Sequence, residues 1–161
     1  MTRIALTPEE FVEYGQLGLA RLSSALEKRR GGAHGFQRNP QDRYRIDVEG
    51  MHAEYVAAKA LGLLPFNPTV SEQDSKFGDI GPGLQVRSTR YTSGSLLIHD
   101  SDDDDHVFIL VTGEYGVFNV RGWIYAREGK VKKLWKVHKD RGAYWVTQDR
   151  LRPLDTLELP A

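Results

Sequence analysis

Five consecutive apolar residues, Val107-Phe108-Ile109-Leu110-Val111, sit inside the segment His106–Thr112. Successive side chains of a strand leave opposite faces, so such a run needs apolar cover on both sides, as a central strand has. A chain that carries it must fold in layers, with this segment in the middle of a sheet. Candidate neighbours are at hand. Ser95–His99 and Val117–Tyr125 are rich in β-branched and aromatic residues and bounded by Gly or Asp turns. Lys133–Val137 and Ala143–Thr147 predict a final hairpin around Lys139–Gly142, followed by the short tail Leu151–Leu154.

Helices precede these strands. Thr7-Pro8-Glu9-Glu10 is a helix start, with Thr7 as cap, Pro8 in the first helical position and Glu10 placed to complete a capping box. The helix is predicted over residues 8–28, with Phe11, Leu19, Leu22 and Leu26 forming one apolar face. Gly15 and Gly18 weaken it or let a neighbour approach closely. A second helix is predicted over Ile46–Leu61, ended by Gly62 with Pro65 soon after. Residues 29–45 between them are basic, glycine-rich and without periodicity, and predict a basic loop. That loop is either a solvated connector or an arm that tracks phosphates, with Arg29, Arg30, Arg38, Arg43 and Arg45 as the cations and Phe36 or Tyr44 available to stack on a base.

The chemistry-bearing stretch is Gly78-Asp79-Ile80-Gly81-Pro82-Gly83-Leu84-Gln85-Val86-Arg87-Ser88-Thr89. It predicts two short strands joined by a glycine-proline turn. Gln85 and Arg87 would share one face, Val86 would point into the core, and the turn would fold Asp79 back beside them. Glu54, in the second helix beside the small residues Ala53 and Ala57, could bring a further oxygen donor; alone it reads as a helix carboxylate paired with Lys59 or Arg45. His52 lies on a different helix face and is read as a substrate contact or a surface residue. Asp102–Asp105 reads as a solvated turn, since the alternating ligands and glycine of a calcium loop are missing. His138-Lys139-Asp140 reads as a hairpin turn.

Glu54, Asp79, Gln85 and Arg87 together resemble the signature of the PD-(D/E)XK nuclease superfamily: a helical Glu, then an Asp, then (E/Q)-x-K on the next strand. The resemblance spans about residues 49–126 and is to a small phage- or bacterial-type member, with Gln85 for the usual Glu and Arg87 for the usual Lys. It implies an α/β fold, with a mixed central β-sheet flanked by N-terminal helices in a restriction-endonuclease-like core, and a C-terminal β-hairpin. It implies a metal-dependent deoxyribonuclease, in which Mg²⁺ or Mn²⁺ is held by Glu54, Asp79, Gln85 and the Val86 backbone carbonyl. Lys76 and Arg90 join the loop arginines as nucleic-acid contacts. Arg87 stays charged at any working pH, so it would stabilise charge on the phosphate while another group takes the water's proton. The superfamily's crossover helix has no convincing counterpart in Arg90–Asp105, which predicts an extra strand instead; a crossover of that length still returns a strand in parallel.

At 161 residues the chain suits one domain: residues 8–28 the N-terminal helix, 29–45 the basic loop, 46–126 the nuclease-like core and 127–161 the C-terminal hairpin and tail. Absence of cysteine excludes a disulfide framework, a thiolate zinc site and a cysteine nucleophile. With no long apolar run, neither secretion nor membrane insertion is expected, and the cytoplasm, or that of an infected host cell for a phage protein, is the expected compartment. Net charge is zero, so attraction to DNA must come from local asymmetry. Two other readings stand beside the nuclease: a catalytically weak relative that kept a DNA-binding surface, and a protein-interaction or inhibitory module with a protein partner. A homodimer could supply sequence specificity through symmetry.

Overall fold

The computed structural model describes residues 1–30, 40–68, 70 and 78–159 of the chain. The apolar run forms β4 (Val107–Glu114), which lies in a mixed four-stranded sheet with β1 (Thr2–Ala5), β2 (Leu84–Thr89) and β5 (Val117–Tyr125), in the order β1-β5-β4-β2. β2 runs parallel to β4 and the other pairs are antiparallel. As the run demands, its side chains alternate between two cores. Val107, Ile109 and Val111 join Val86, Phe118, Val120 and the helices on one face. Phe108 and Leu110 join Leu96, Ile98 and Val146 on the other.

The first face is covered by α1 (Pro8–Arg30) and α2 (Pro40–Ala60). Thr7 and Glu10 close the predicted capping box, with the Glu10 N–H donating to Thr7 Oγ1 over 3.1 Å and the Thr7 N–H to Glu10 Oε2 over 2.9 Å. The apolar face predicted for α1 is the wrong one: Phe11, Leu19 and Leu26 are largely exposed. Tyr14, Gly18, Arg21 and Ala25 carry the contact instead. A Cβ on Gly18 would stand 2.7 Å from both the Asp47 carbonyl oxygen and the Val48 Cα, so the helices touch backbone to backbone, where bulky side chains have no room. The predicted basic loop is also shorter than expected, because α2 begins at Pro40, a residue whose fixed φ suits the first helical turn. Arg43 and Arg45 are therefore helical.

The second face is covered by an antiparallel sheet of β3 (Leu96–Ile98), β7 (Arg141–Val146) and β6 (Trp135–His138), in the order β3-β7-β6, and by the short α3 (Ala126–Gly129). The crossover between β2 and β4 thus supplies a strand to another sheet and no helix, and still returns β4 parallel to β2. The N-terminal edge strand β1 has no counterpart in the sequence reading. The chain is an α/β protein with a mixed sheet, N-terminal helices and a C-terminal hairpin. No helix among the described residues is long and apolar enough to cross a membrane.

Candidate active site at the open edge of strand β2

β2 is the last strand of its sheet, so one of its edges is free of the β4 ladder. The segment before it is a tight loop tied by single bridges to Leu84, not the expected strand. Gly78 sits at φ +107°, and a Cβ there would stand 2.1 Å from the Gly81 carbonyl oxygen; only glycine permits that closure. The closure delivers Asp79. Its N–H donates to the Leu84 carbonyl over 2.8 Å, and its Oδ2 accepts the Val86 N–H over 2.7 Å. The N–H and C=O of one strand residue project to the same edge, so Asp79 and the Val86 carbonyl share the open edge of β2. Asp79 Oδ1 accepts no hydrogen bond among the described residues.

Glu54 reaches this region from α2, on the helix face of the sheet. Its partner is neither Lys59 nor Arg45 but Arg21 of α1, which grips both carboxylate oxygens at 2.7 and 2.9 Å. Lys59 instead donates to Glu10 over 2.5 Å, and Tyr55 to the same Glu10 oxygen over 2.6 Å. Burial pushes the Glu54 carboxyl up to about 7; Arg21 opposes the shift, while the charges of Asp79 and Asp47 add to it. Burial also raises Asp79, against the Val86 N–H and the charges of Arg87 and Arg21. A buried acid and a half-buried one thus lie where loss of water disfavours their charged forms.

Gln85 and Arg87 share a face, as the strand period requires, and Val86 points into the helix-side core. Their face is that of the second sheet, opposite Glu54: Gln85 is in register with Phe108, and Arg87 lies over the Phe108 ring at 4.8 Å. The Gln85 amide nitrogen stands 3.3 Å from Nδ1 of His106. Arg87 donates to both oxygens of Asp102 at 3.2 and 3.3 Å. The four signature residues therefore form two groups on opposite faces of β2, Glu54 with Arg21 and Gln85–Arg87 with His106 and Asp102, and Asp79 stands at the edge between them.

Arg21, Asp102 and His106 escaped the sequence reading. For Arg21 a signal existed, since it follows Gly18 by three residues and so faces whatever Gly18 touches. Asp102 was read as part of a solvated run, but Asp102, Asp104 and Asp105 pair with Arg87, Lys130 and Arg127 respectively. His52 is neither a surface residue nor a substrate contact. It is fully buried, stacked on Phe11 at 4.7 Å with Nε2 2.9 Å from the Phe11 carbonyl oxygen, and burial lowers its pKa.

Of the nucleic-acid contacts expected from sequence, Arg45 and Arg90 line one cleft of about 140 Å³ with Ser88, Thr89 and Tyr91 at the far end of β2. Arg43 is held by Asp47 over 2.8 Å. Arg38 and Lys76 lie outside the described residues, as do the side chains of Arg29 and Arg30 at the end of α1.

The chain matches no family model, no curated protein and no solved structure.

Proposed function

We propose that this chain is a metal-dependent hydrolase of DNA phosphodiester bonds, with its centre at Asp79. The observation that carries the reading is the Val86 N–H bond to Asp79 Oδ2, which holds a half-buried carboxylate and a main-chain carbonyl on the same open strand edge. Two donors share one edge and fit a hard divalent cation: the Asp79 carboxylate and the Val86 carbonyl are oxygen ligands of the kind Mg²⁺ or Mn²⁺ takes, with water for the remaining positions. Glu54 and the Gln85 amide, on opposite faces of β2, do not join them in this arrangement, and no cluster of three or more His, Asp or Glu side chains stands ready for a metal among the described residues. Burial is the main cause of the raised Glu54 and Asp79 pKa values, and a cation at the Asp79 edge would favour the ionised form of Asp79. When bound, the ion would acidify a water and neutralise charge on the phosphate.

The chain's own residues would do the rest. Asp79 is preorganised by the Gly78 turn. Arg87, fixed by Asp102 and Phe108, presents a permanent positive charge to the phosphate and does not take part in proton transfer. His106 holds the Gln85 side chain in place.

The test is cleavage of plasmid, linear and single-stranded DNA with Mg²⁺ and then Mn²⁺. Wild type should cut, Asp79→Ala should lose about 10²-fold or more, in line with removal of a ligand or charge-stabilising group, and Arg87→Lys should report whether the fixed guanidinium limits the rate. No cutting by wild type under either metal overturns the reading. One observation favours a second reading, a nuclease fold retained for binding: Arg21 already neutralises Glu54 through both oxygens. That reading requires salt-sensitive DNA binding without cleavage.

A further inference from the structure

Although the whole chain carries no net charge, the segment Lys130–Arg141 holds six cations, Lys130, Lys132, Lys133, Lys136, Lys139 and Arg141, against the single carboxylate of Asp140. Lys130 is turned inward, donating to the carbonyls of Asp100 and Asp102 and to Asp104. The other five are exposed, and none forms an ion pair among the described residues. Lys132 and Lys133 stand in the single helical turn that leads into β6, and Lys136, Lys139 and Arg141 on the β6–β7 hairpin, whose turn places Lys139 and Asp140 both at positive φ (48° and 62°), a tight two-residue geometry.

Every residue of β6 is exposed, Trp135 and Val137 included. Trp135 packs against Gly142, where a Cβ would come within 2.0 Å of the indole, meets Tyr144 edge-on at 4.9 Å, and stays 40% exposed. Lys136 leaves the strand on the opposite face and lies over the Trp145 ring at 5.7 Å. The half-exposed indole thus stands at the root of a cationic turn.

The hairpin is joined to the candidate site. Tyr144 donates to Asp100 Oδ1 over 3.2 Å, Lys130 ties down the same turn, and Asp102 of that turn holds Arg87. A four-residue strand reaches about 13 Å, the rise of about four nucleotides of a DNA strand. A ribbon of unpaired positive charge with a half-exposed indole fits a polyanion carrying flat rings and sugars. An acidic protein would offer the charge but no need for the indole.

We infer that the β6–β7 hairpin is a DNA-binding arm, in which Lys132, Lys133, Lys136, Lys139 and Arg141 meet phosphates and the exposed part of Trp135 packs on a sugar or base of the strand leaving Arg87. The choice of DNA rests on the proposed function; the arm itself does not depend on cleavage.

The experiment measures anisotropy of fluorescein-labelled 20-mer DNA, single-stranded and duplex, in EDTA across a NaCl series. Wild type, the triple variant Lys136→Ala/Lys139→Ala/Arg141→Ala and Trp135→Ala are compared, with polyglutamate as competitor and circular dichroism as the check on folding. The triple variant should lower the slope of log affinity against log salt by about 2–3, since each duplex phosphate contributes about 0.9, and Trp135→Ala should weaken binding with the slope unchanged. The arm is overturned if wild type shows no salt-sensitive binding, if a folded triple variant binds like wild type, or if polyglutamate competes as well as unlabelled DNA. Hairpin-dependent binding without cleavage leaves the arm standing and removes the nuclease reading; Asp79-dependent cleavage with binding indifferent to the hairpin does the reverse.

Discussion

Glu54 shows how one residue couples the site to stability. In the folded chain its carboxyl is pushed up to about 7, chiefly by burial, from an ordinary value of 4.5. Between those values the folded state binds the proton more readily than the unfolded state, so Glu54's contribution makes stability fall as pH rises through that window. Urea unfolding in EDTA at pH 5 and pH 8 should show a loss of about 1–3 kcal/mol at the higher pH that Glu54→Gln removes. Adding Mg²⁺ should restore stability mainly at pH 8, because metal binding favours ionised ligands. Glu10 works in the opposite sense. Burial would raise it, yet the hydrogen bonds from Lys59 and Tyr55 hold it at about 2, so its stabilisation is present above 4.5 and is lost as pH falls toward 2. Asp79 and Gln85 were legible in sequence because a turn and a strand period place them. Arg21 had only its place one turn after Gly18 to mark it, and its partner was set by a helix crossing between residues 33 positions apart.

Among the elements, the α1–α2 contact carries the most structural information in the fewest atoms. Gly18→Ala would drive a methyl group against the backbone of Asp47 and Val48. The expected cost is about 1–3 kcal/mol, a melting temperature lower by about 2–9 °C at this chain length, and a looser Arg21–Glu54 pair. Gly15→Ala serves as control: a Cβ there meets nothing nearer than His52 Nε2 at 3.5 Å, so it should be tolerated. If both variants melt alike, the backbone contact at Gly18 is not what sets the helix spacing. Helix α1 also explains a misreading. Large apolar residues at helical spacing ordinarily mark the buried face, but a glycine-mediated contact puts Gly18 and Ala25 at the seam and leaves Leu19 and Leu26 largely exposed, while Phe11 stays partly packed through its stack on His52. The start of α2 was hidden for a similar reason, since the charges of Arg43 and Arg45 read as loop while Arg43 in fact pairs with Asp47 one turn on.

Across the whole molecule, β4 is the shared wall of two cores, with the helices on one side and the second sheet on the other. Phe108 is fully buried in the second core and also supports Arg87. Phe108→Ala should destabilise by about 3–5 kcal/mol. Tryptophan fluorescence of a Trp123→Phe background, which reports on Trp135 and Trp145 of the hairpin, and far-ultraviolet circular dichroism, which reports on the helices, should still give coincident unfolding transitions. Separate transitions would mean that the two layers do not share their stability through β4. The sequence by itself determined the layered plan, because five apolar residues in one strand cannot be satisfied with a single covered face. It also determined the capping box and the hairpin turn, which depend on neighbours close in the chain; the crossover length allowed a parallel return of β4 without fixing it. Only the tertiary structure decided which face of α1 is buried, that Glu54 meets Arg21, that Gln85 and Arg87 face away from the helices, and that the turn holding Arg87 is tied to the hairpin through Tyr144. Those outcomes depend on distances between segments far apart in the chain, which residue spacing does not encode.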